Sequence, residues 1–303
     1  MLITRLPQQA IYPAAVTIGS FDGVHLGHQQ IIHRLTDHAK QHGLHSVVVT
    51  FEPQPREYLA PDSAPARLSS LTDKALQLAK LGLDQLVVLP FNQQLRALSA
   101  QQFVEDILVG KLNTRWLQVG DDFRFGNDRK GNIDFLRQFD FDVTDLPSQC
   151  LGGERISSTL IRERLESADF RQAEQMLGHP YVLSGRVVYG RQLGRTIGVP
   201  TANVLLPHKK LPTEGVFAVF ADIDGQRYQG VANLGPKPTV GDYRRWLETH
   251  FFDYDGHLYG ERLTVALHQR LRPIQKFDNF DALKSQIQHD IQAAKAWFAT
   301  DGK

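Results

Sequence analysis

The chain has 303 residues, a hydrophobic share of 42% and a formal net charge of +1. These values predict a globular protein of two domains and argue against recognition of nucleic acid or membranes by bulk charge. The single cysteine, Cys150, excludes an internal disulfide and a multi-cysteine metal site, and it suits a reducing compartment. The chain opens without a signal-peptide pattern, and no stretch reaches the ~20 apolar residues of a membrane span. We therefore expect a cytoplasmic protein with no membrane partner and no obligate protein partner.

Strand and helix patterns alternate through the first half of the chain, which predicts an α/β fold with a Rossmann-like parallel sheet covered by helices. Gly43, Gly82 and Gly178 end three of the helical patterns. The predicted strands are residues 14–16, 46–51, 85–89, 116–119 and, more weakly, 139–146. The predicted helices begin near His28, cover 70–81, run from the capping residue Ser99 towards Gly110, and cover 157–165 and 170–177.

The pattern changes from Val182 onwards, where short alternating stretches are separated by glycine and proline. Closely spaced strands of this kind predict a small antiparallel β-barrel. Residues 280–298 have helical spacing, and we expect this C-terminal helix to pack across the barrel. The change divides the chain into two predicted domains, residues 1–182 and 183–303. The predicted barrel strands are 185–189, 216–220, 228–232 and 263–267.

The segment T-I-G-S-F-D-G-V-H-L-G-H, residues 17–28, joins the first predicted strand to the first predicted helix. Ligands of α/β folds bind at such turns. Its first two glycines let the backbone turn tightly, and Gly27 leaves space for a phosphate. His25 and His28 are three residues apart, so in a helix they share a face near its positive end, where imidazoles and backbone N–H groups suit a polyphosphate. The alternative is a solvated helix cap with two incidental histidines.

The segment V-G-D-D-F-R-F-G, residues 119–126, follows another predicted strand. Asp121 and Asp122 suit Mg²⁺ or a polar ligand, and Phe123 and Phe125 suit the two faces of a flat ring. A turn whose acidic residues cap the next element explains the segment equally well.

The segment I-S-S-T-L-I-R, residues 156–162, places hydroxyl side chains at the predicted N-terminus of a helix. Arg162 lies one turn into that helix, and hydroxyls together with a guanidinium suit the oxygens of a triphosphate. Taken alone, the segment is also what an ordinary helix cap requires.

The second half contains the glycine-rich segment Y-G-R-Q-L-G-R-T-I-G-V-P-T-A-N, residues 189–203. Its glycines expose backbone N–H groups to phosphate, and Thr201 and Asn203 offer the hard oxygen ligands that Mg²⁺ prefers. It is not a Walker P-loop, because no Gly-Lys-Ser/Thr follows. A structural hairpin is the alternative. Further along, Glu248 lies in a strand-like stretch, where an isolated glutamate is usually a surface residue.

These segments resemble the signatures of one known family. The string G-S-F-D-G-V-H-L-G-H-Q, residues 19–29, resembles the H-x-G-H motif of adenylyl- and cytidylyltransferases and, in its full form, that of the bacterial bifunctional riboflavin kinase/FAD synthetase family. The I-S-S-T-L-I-R segment resembles a second signature of that family, and P-T-A-N at residues 200–203 resembles its flavokinase signature. The resemblance continues through residues 230–239 and 247–251 and covers nearly the whole chain.

The resemblance implies a nucleotidyltransferase domain followed by a riboflavin kinase barrel. ATP would phosphorylate riboflavin to FMN in the barrel, and would adenylylate FMN to FAD with release of pyrophosphate in the first domain, with Mg²⁺ as the metal. The implied catalytic residues are His25, His28 and Glu248, of which Glu248 takes the proton from the ribityl 5′-hydroxyl. The implied contacts are Gly19, Phe21, Asp22, Gly27, Ser158, Thr159 and Arg162 with the ATP of adenylyl transfer; Asp122, Phe123 and Arg124 with FMN; and Gly190, Gly194, Arg195, Gly198, Thr201 and Asn203 with the ATP of the kinase, the last two also with the metal.

Three positions depart from the family pattern. Gln54 stands where many members have histidine, Val199 where phenylalanine is usual, and Ile274 where an acidic residue is frequent. The roles of Gln54 and of the loop around Ile274 therefore stay open.

Two other functions fit parts of the chain. In the first alternative, the barrel is a non-catalytic binding module, for example for RNA. In the second, the first domain uses a different phosphorylated acceptor, such as a pantetheine or sugar phosphate. The near-neutral charge argues against RNA, and the flavokinase segments argue against another acceptor. We expect the partners to be the small molecules riboflavin, FMN and ATP.

Overall fold

The computed structural model describes residues 1–5, 12–121, 123–127, 129–147, 149–190, 198–207, 210–236 and 245–300. Three residues with predicted roles, Asp122, Gly194 and Arg195, lie outside the described residues. The chain forms two compact units: the first contains residues 1–65 and 74–157, and the second contains residues 66–73 and 158–303. Within the described ranges, none of the helices combines the length and the apolar character needed to cross a membrane.

The first unit is built around a parallel sheet, as the alternating pattern predicted. Its strands are β1 (Leu2–Thr4), β2 (Ala14–Ile18), β3 (His45–Glu52), β4 (Gln85–Pro90), β5 (Thr114–Gly120) and β6 (Asp142–Leu146). Among the described residues these six strands have the order β1-β4-β3-β2-β5-β6, and every neighbouring pair is parallel. Strand β2 is buried at each position, as expected for a strand covered on both faces. A short antiparallel hairpin follows, with strands β7 (Cys150–Leu151) and β8 (Glu154–Arg155).

Two strands of this sheet differ from the sequence prediction. Strand β1 was not predicted, because it has three residues, the first two of them exposed, and so shows no alternation. Strand β6 begins at Asp142 rather than at 139, because Phe139 and Phe141 pack against the core of the sheet from a turn. Apolar residues bury their side chains equally well from a turn, so the apolar pattern extended the predicted strand too far.

The helices of the first half begin and end at local capping signals. They are α1 (Leu26–His42), α2 (Pro55–Leu59), α3 (Leu71–Lys80), α4 (Gln93–Ala97), α5 (Ala100–Gln102) and α6 (Ile133–Leu136). Helix α1 ends at Gly43, which has a φ of 64°, and the side chain of Ser99 caps α5, as predicted. The helix predicted to run towards Gly110 differs in form, because α5 continues as a π-helix, Phe103–Val109. Its buried residues have the spacing of an α-helix, so their pattern does not distinguish the two forms.

The second unit contains the predicted antiparallel barrel. Its elements are α7 (Ser158–Glu166), α8 (Phe170–Leu177), β9 (Tyr181–Val188), β10 (Ala202–Leu206), β11 (Gly215–Ile223), β12 (Gln226–Pro236), β13 (Arg245–Phe251), β14 (Arg262–Arg272) and α9 (Phe280–Thr300). In the described part of the chain the barrel is closed, with the strand order β10-β13-β12-β11-β14-β9 and antiparallel neighbours throughout. Strand β10 was not predicted as a strand, because its first two residues belong to the segment 189–203, which the sequence assigned to phosphate binding.

The C-terminal helix packs on the barrel, as predicted. Ile291, Ala294 and Phe298 of α9 form one buried cluster with alternate residues of β11, including Val216 and Ala218. The residues between them on β11 face the interior of the barrel. Strand β11 is therefore buried on both faces, and its uninterrupted apolar sequence follows from this.

Candidate active sites

The first candidate site begins at the carboxyl end of β2. The backbone leaves β2 at Ile18 and enters α1 at Leu26, which confirms the predicted strand–turn–helix arrangement. Within the turn, Phe21, Gly23 and Val24 have φ angles of 46°, 80° and 41°. Left-handed backbone is rare for phenylalanine and valine, and residues of this kind cluster at binding sites.

The two histidines of the motif are stacked on each other. His25 precedes α1 as its N-cap, and its Nδ1 accepts a hydrogen bond from the backbone N–H of His28 at 3.4 Å. The ring centroids of the pair are 3.6 Å apart, and the ring of Phe21 lies 5.0 Å from that of His28. The spacing of three residues therefore brings the imidazoles together, although His25 lies outside the helix.

His28 has the electrostatic properties of a ligand-binding group. Withdrawal of the ring from water, followed by the nearby charges of His25 and Lys74, lowers the pKa of His28 well below its usual range. Its Nδ1 is buried and has no hydrogen-bond partner among the described residues. A buried polar atom without a partner costs about 1–3 kcal/mol, and a ligand group can satisfy it. A neutral imidazole with an unsatisfied nitrogen at a helix N-terminus therefore indicates a ligand site.

Two glycines of the motif accommodate neighbouring aromatic rings. A Cβ at Gly19 would lie 3.0 Å from Cε2 of Phe21, and a Cβ at Gly27 would lie 3.3 Å from the ring of His25. Gly27 therefore makes room for an imidazole, and its predicted role in admitting a phosphate stays a prediction. The same holds for the ATP contact predicted for Asp22, which is 2% exposed.

Gln54 is a buried polar residue at the same edge of the sheet, where it follows β3. Its backbone N–H donates to Oε2 of Glu57 at 3.0 Å and so caps α2. Its side-chain Nε2 is buried, and no described residue accepts a hydrogen bond from it. The sequence left the role of Gln54 open, and only its three-dimensional surroundings identify its amide as a second unsatisfied donor.

The aromatic segment after β5 differs in part from its prediction. Phe125 is 8% exposed and packs against Phe103 and Phe135, so it is a core residue rather than a platform for a flat ring. Phe123 is half-buried and stacks on Phe125, with ring centroids 5.4 Å apart. Arg124 is exposed, and its Nη1 donates to the carbonyl of Phe123 at 2.8 Å. The FMN contacts of Phe123 and Arg124 stay predictions.

The I-S-S-T-L-I-R segment begins a helix, as predicted. Helix α7 begins at Ser158, and Thr159 in its first turn is exposed. Arg162 is half-buried, and its Nε donates to the carbonyl of Ala66 at 2.5 Å. This bond fixes the guanidinium within the second unit, and the ATP contacts of these residues stay predictions.

The second candidate site lies on the barrel, where three polar residues occupy neighbouring positions. Glu248 on β13 is directly opposite Asn203 on β10 and directly opposite Asn233 on β12. Directly opposite side chains of antiparallel strands share a face, with Cβ atoms about 4.5–5.5 Å apart. Leu234 and Leu247, at the alternate positions, are fully buried, so the three polar residues lie on the outer face. The sequence singled out Asn203 and Glu248 but missed Asn233.

Thr201 and Asn203 form a local pair beside this face. Nδ2 of Asn203 donates to the backbone carbonyl of Thr201 at 3.2 Å and to its Oγ1 at 3.4 Å. A Cβ at Gly190 would lie 2.6 Å from Oδ1 of Asn203, so glycine is needed there for the amide to fit. Gly198 has a φ of 73°, which also favours glycine. The pair presents a hydroxyl and an amide oxygen, a donor set that fits Mg²⁺.

Thr201 also lines a pocket of about 160 Å³. The other walls come from the end of β13 and from the segment Tyr254–Tyr259. Nδ1 of His250 contacts the carbonyl of Pro200 at 2.8 Å and ties the preceding loop to β13. No group of three or more His, Cys, Asp or Glu side chains suited to a metal occurs within the described ranges. The pocket therefore adjoins a hydroxyl–amide pair rather than an acidic metal cluster.

The fold and the two candidate sites define a class of protein. A parallel α/β unit with an H-x-G-H turn at the carboxyl edge of its sheet is typical of nucleotidyltransferases, and the barrel carries a second, separate group of polar residues. Residues 8–160 match the family model described as FAD synthetase, and residues 177–298 match the model described as riboflavin kinase. The chain belongs to the bifunctional riboflavin kinase/FMN adenylyltransferase family and is an enzyme of flavin cofactor synthesis.

Similar proteins agree with this membership over nearly the full length. The chain is 49% identical to a bifunctional riboflavin kinase/FMN adenylyltransferase of Pseudomonas fluorescens, with 92% of this chain and 91% of that protein covered. It is 42% identical to the protein of the same description from Escherichia coli K12, with 98% and 95% covered. A crystal structure from Streptococcus pneumoniae, described as a macrolide-efflux protein, matches with a TM-score of 0.80 at 30% identity, with 98% and 100% covered.

Proposed function

We propose that the H-x-G-H turn of the first unit transfers an adenylyl group from ATP to FMN, and that the outer face of the barrel phosphorylates riboflavin. The proposed catalytic domains are residues 1–182 for adenylyl transfer and 183–303 for the kinase. The observation that supports the assignment of two separate reactions most strongly is that each compact unit has its own group of residues suited to phosphate chemistry. These groups are the stacked imidazoles of one unit and the Asn203–Glu248–Asn233 row of the other.

Adenylyl transfer needs charge stabilisation more than it needs a covalent intermediate. A phosphate oxygen of FMN attacks the α-phosphorus of ATP, the bond from that phosphorus to the β-phosphate oxygen breaks, and pyrophosphate leaves. His25 and His28 donate hydrogen bonds to the α- and β-phosphates, where negative charge develops. The unsatisfied Nδ1 of His28 supports this role, because a phosphate oxygen would give it the partner that the described residues lack.

Phosphoryl transfer in the barrel needs a base and an aligned hydroxyl. The ribityl 5′-hydroxyl of riboflavin attacks the γ-phosphorus of ATP, ADP leaves, and Glu248 accepts the hydroxyl proton. Thr201 and Asn203 would hold Mg²⁺, which would neutralise phosphate charge. The pocket beside Thr201 would hold the nucleoside part of ATP. The substrates riboflavin, FMN and ATP are small molecules, and we place the reactions in the cytoplasm because a chain with one cysteine suits a reducing compartment.

Two single substitutions test whether the sites are separate. His28→Ala removes a donor to the ATP phosphates, so FAD synthesis should fall by about 10²–10³ while riboflavin is still converted to FMN, which accumulates. Glu248→Gln keeps the shape of the side chain but removes the base, so riboflavin phosphorylation should fall by about 10²–10⁴ while supplied FMN is still converted to FAD. Products are identified by chromatography after incubation with Mg-ATP.

Mixing the two variants should restore the conversion of riboflavin to FAD, because free FMN made by one protein can be used by the other. If a folded His28→Ala variant cannot make FMN, the two-site assignment is wrong. If the wild type leaves FMN unchanged but adenylylates another phosphorylated acceptor, the acceptor is wrong. A wild type that makes FAD from FMN but does not phosphorylate riboflavin would identify the barrel as a binding module.

A further inference from the structure

Lys74 is a lysine enclosed in the first unit, within the first turn of α3. Its side chain is 1% exposed and is among the largest fully buried side chains of the described residues. Removing an ammonium group from water is unfavourable unless hydrogen bonds and nearby polar groups compensate. The conformation of Lys74 is therefore fixed by the polar groups around it, and these groups indicate its role.

Two hydrogen-bond partners of Lys74 belong to the edge of the sheet that contains the histidine motif. Its Nζ donates to the carbonyl of Ser20 at 2.5 Å and to Oγ1 of Thr50, near the end of β3, at 3.5 Å. The hydroxyl of Thr50 donates to the same Ser20 carbonyl at 3.4 Å. One peptide oxygen, located between β2 and α1, therefore accepts both a charged and a neutral hydrogen bond, and the charged one is the shorter and stronger.

This oxygen lies at the start of the strained turn. The next residue is Phe21, and Phe21, Gly23 and Val24 all have positive φ angles. Non-glycine residues keep such angles only where the surroundings fix the backbone. At the other end of the turn, Nε2 of Gln29 donates to the carbonyl of Val24 at 2.9 Å. Lys74 and Gln29 therefore anchor the two ends of the turn that precedes His25.

The ammonium group also acts on the histidine pair through its charge. Lys74 is near enough to His28 to lower the pKa of that imidazole, after the effects of burial and of His25. The same field favours an anion at the start of α1, where the helix N-terminus already supplies partial positive charge. Because Lys74 is enclosed by protein, it exerts this effect without occupying the space in which a ligand would lie.

We propose that Lys74 is a positioning residue for adenylyl transfer, whose buried ammonium fixes the Ser20–Val24 turn and adds positive potential behind the His25–His28 pair. The proposal rests on the function proposed above for this turn. It goes beyond that function because Lys74 lies in a helix remote in sequence from each of the motifs and acts through another residue's backbone.

The test compares Lys74→Met with Lys80→Met in the full-length protein. Methionine keeps much of the length of the lysine side chain but removes the donor and the charge, and Lys80 is an exposed lysine of the same helix. Lys74→Met should lower FAD synthesis from FMN by about 10–100-fold, mainly through a higher KM for ATP, since lost charge weakens binding of phosphate. Phosphorylation of riboflavin should stay unchanged, and Lys80→Met should affect neither reaction.

A spectroscopic readout separates positioning from a purely structural role. With the charge removed, the pKa of His28, followed by NMR in the ligand-free protein, should rise in Lys74→Met. Thr50→Val removes the hydrogen bonds of the Thr50 hydroxyl with the Ser20 carbonyl and with Lys74 but keeps the charge of Lys74, so it should leave the pKa of His28 unchanged. If Lys74→Met makes FAD as fast as Lys80→Met does, and if the pKa of His28 is the same in the two variants, the proposal is contradicted. A wild type without FAD synthesis would instead contradict the function on which it rests.

Two measurements apply if Lys74→Met does not fold. Lys74→Gln keeps a donor for the Ser20 carbonyl and removes only the charge, so it should show the higher KM for ATP. In the wild type, the Nζ resonance of Lys74 should shift when a non-hydrolysable ATP analogue binds. A Gln variant with unchanged KM, or an Nζ resonance that the analogue leaves in place, would overturn the proposal.

Discussion

At the scale of single residues, His28 owes its properties to the residues packed around it. The ring stacks on His25, contacts Phe21 and lies within the field of Lys74, while its Nδ1 has no partner among the described residues. Burial of the ring and the nearby charges of His25 and Lys74 lower the pKa of His28 and so favour the neutral imidazole. Bound polyphosphate would change the balance, because its negative charge favours the protonated form. We therefore expect the pKa of His28 to rise when a polyphosphate binds at this turn.

The lowered pKa of His28 predicts how the stability of the first unit depends on pH. In the unfolded chain His28 binds a proton with an ordinary pKa near 6.5, whereas the folded chain has a lower pKa. The stabilising contribution is therefore complete above the unfolded-state pKa and is lost as the pH falls towards the folded-state pKa. His28→Gln should flatten the decline of the unfolding free energy on this acid side.

The measurement is urea unfolding from about pH 8 to about pH 5, followed by fluorescence of Trp116. Trp246 and Trp297, which belong to the second unit, are replaced by phenylalanine so that only the first unit is observed. His33→Gln, at an exposed position of the same helix, is the matched control. If that control flattens the curve as much as His28→Gln does, the dependence does not arise from His28.

The sequence predicted residues whose role follows from local spacing and missed those whose role follows from distant contacts. His25 and His28 are three apart, and their proximity follows from local backbone geometry. Lys74 and Gln54 have no such signal, because their surroundings come from neighbouring strands that the local sequence does not specify. Phe125 shows the opposite error. Its position after a strand indicated that its ring contacts a flat ligand, whereas the structure shows that the ring is buried in the core.

At the scale of secondary structure elements, the barrel site depends on the register of three strands. Asn203, Glu248 and Asn233 are aligned because β10, β13 and β12 pair without a bulge at these positions. A shift by one residue would move each side chain to the opposite face of its strand. The register is held by interior residues such as Leu234 and Leu247, which pair with each other and are fully buried.

Asn233 should therefore contribute to the kinase reaction, although the sequence assigned it no role within the resembling segment 230–239. Its side chain lies opposite Glu248, so we expect it to help align the carboxylate with the ribityl hydroxyl. Asn233→Ala should lower riboflavin phosphorylation by about tenfold, the scale of one lost neutral hydrogen bond, and should leave FAD synthesis from FMN unchanged. Steady-state kinetics of the two reactions measure this effect in the same preparation.

The matched control for this prediction is Gln229→Ala. Gln229 is exposed on the same strand and the same face as Asn233. It lies opposite Phe220 of β11, and it is Asn233, not Gln229, that lies opposite Glu248 of β13. Equal losses in the two variants would show that the strand, and not the Asn233 side chain, is the cause.

Elements with strong local signals were predicted better than those defined by pairing. The ends of α1 and α8 follow from Gly43 and Gly178, which adopt left-handed conformations at the helix termini. Strand β10 was missed, because the glycine-rich segment that precedes it includes its first two residues, yet all five of its residues pair with β13. The π-helix after α5 has no pattern of its own, since the same residues are buried in either helical form.

At the scale of the whole molecule, the two compact units are not two continuous stretches of chain. Residues 66–73 belong to the second unit, whereas the residues on either side of them belong to the first. The contacts of Asp73 explain this division. Asp73 is buried, and its carboxylate accepts a hydrogen bond from the hydroxyl of Ser70 at 2.6 Å. The same carboxylate accepts hydrogen bonds from Ser184 on β9 and from Arg262 on β14. The change of strand and helix pattern at Val182 predicted a single boundary near residue 182, because a segment as short as 66–73 is too short to show a pattern of its own.

The domain boundary can be tested with two fragments of the second unit, residues 158–303 and 183–303. Phe170 of α8 is buried and packs against Phe217 of the barrel, with ring centroids 5.5 Å apart, and only the longer fragment retains it. The shorter fragment also lacks Tyr181 and Val182, the first two residues of β9, which pair with β14. Because loss of a buried phenylalanine costs about 3–5 kcal/mol, the shorter fragment should melt on the order of 10 °C lower. Circular dichroism gives the melting temperatures, and both fragments should phosphorylate riboflavin while folded.

The comparison decides where the kinase domain begins. Equal melting temperatures would mean that α7 and α8 add nothing to the barrel and would favour a boundary at residue 182. A folded longer fragment that makes no FMN would contradict the assignment of the kinase to this part of the chain.

The bonds of Asp73 also have a consequence for the order of events during synthesis on the ribosome. Asp73 is separated by 111 residues from Ser184 and by 189 residues from Arg262. At about 5–20 residues per second, Arg262 is polymerised roughly 10–40 s after Asp73. The H-x-G-H segment and residues 66–73 therefore leave the ribosome well before β14 does. Until β14 emerges, Asp73 lacks the hydrogen bond from Arg262. Native structure around Asp73 is completed only near the end of translation.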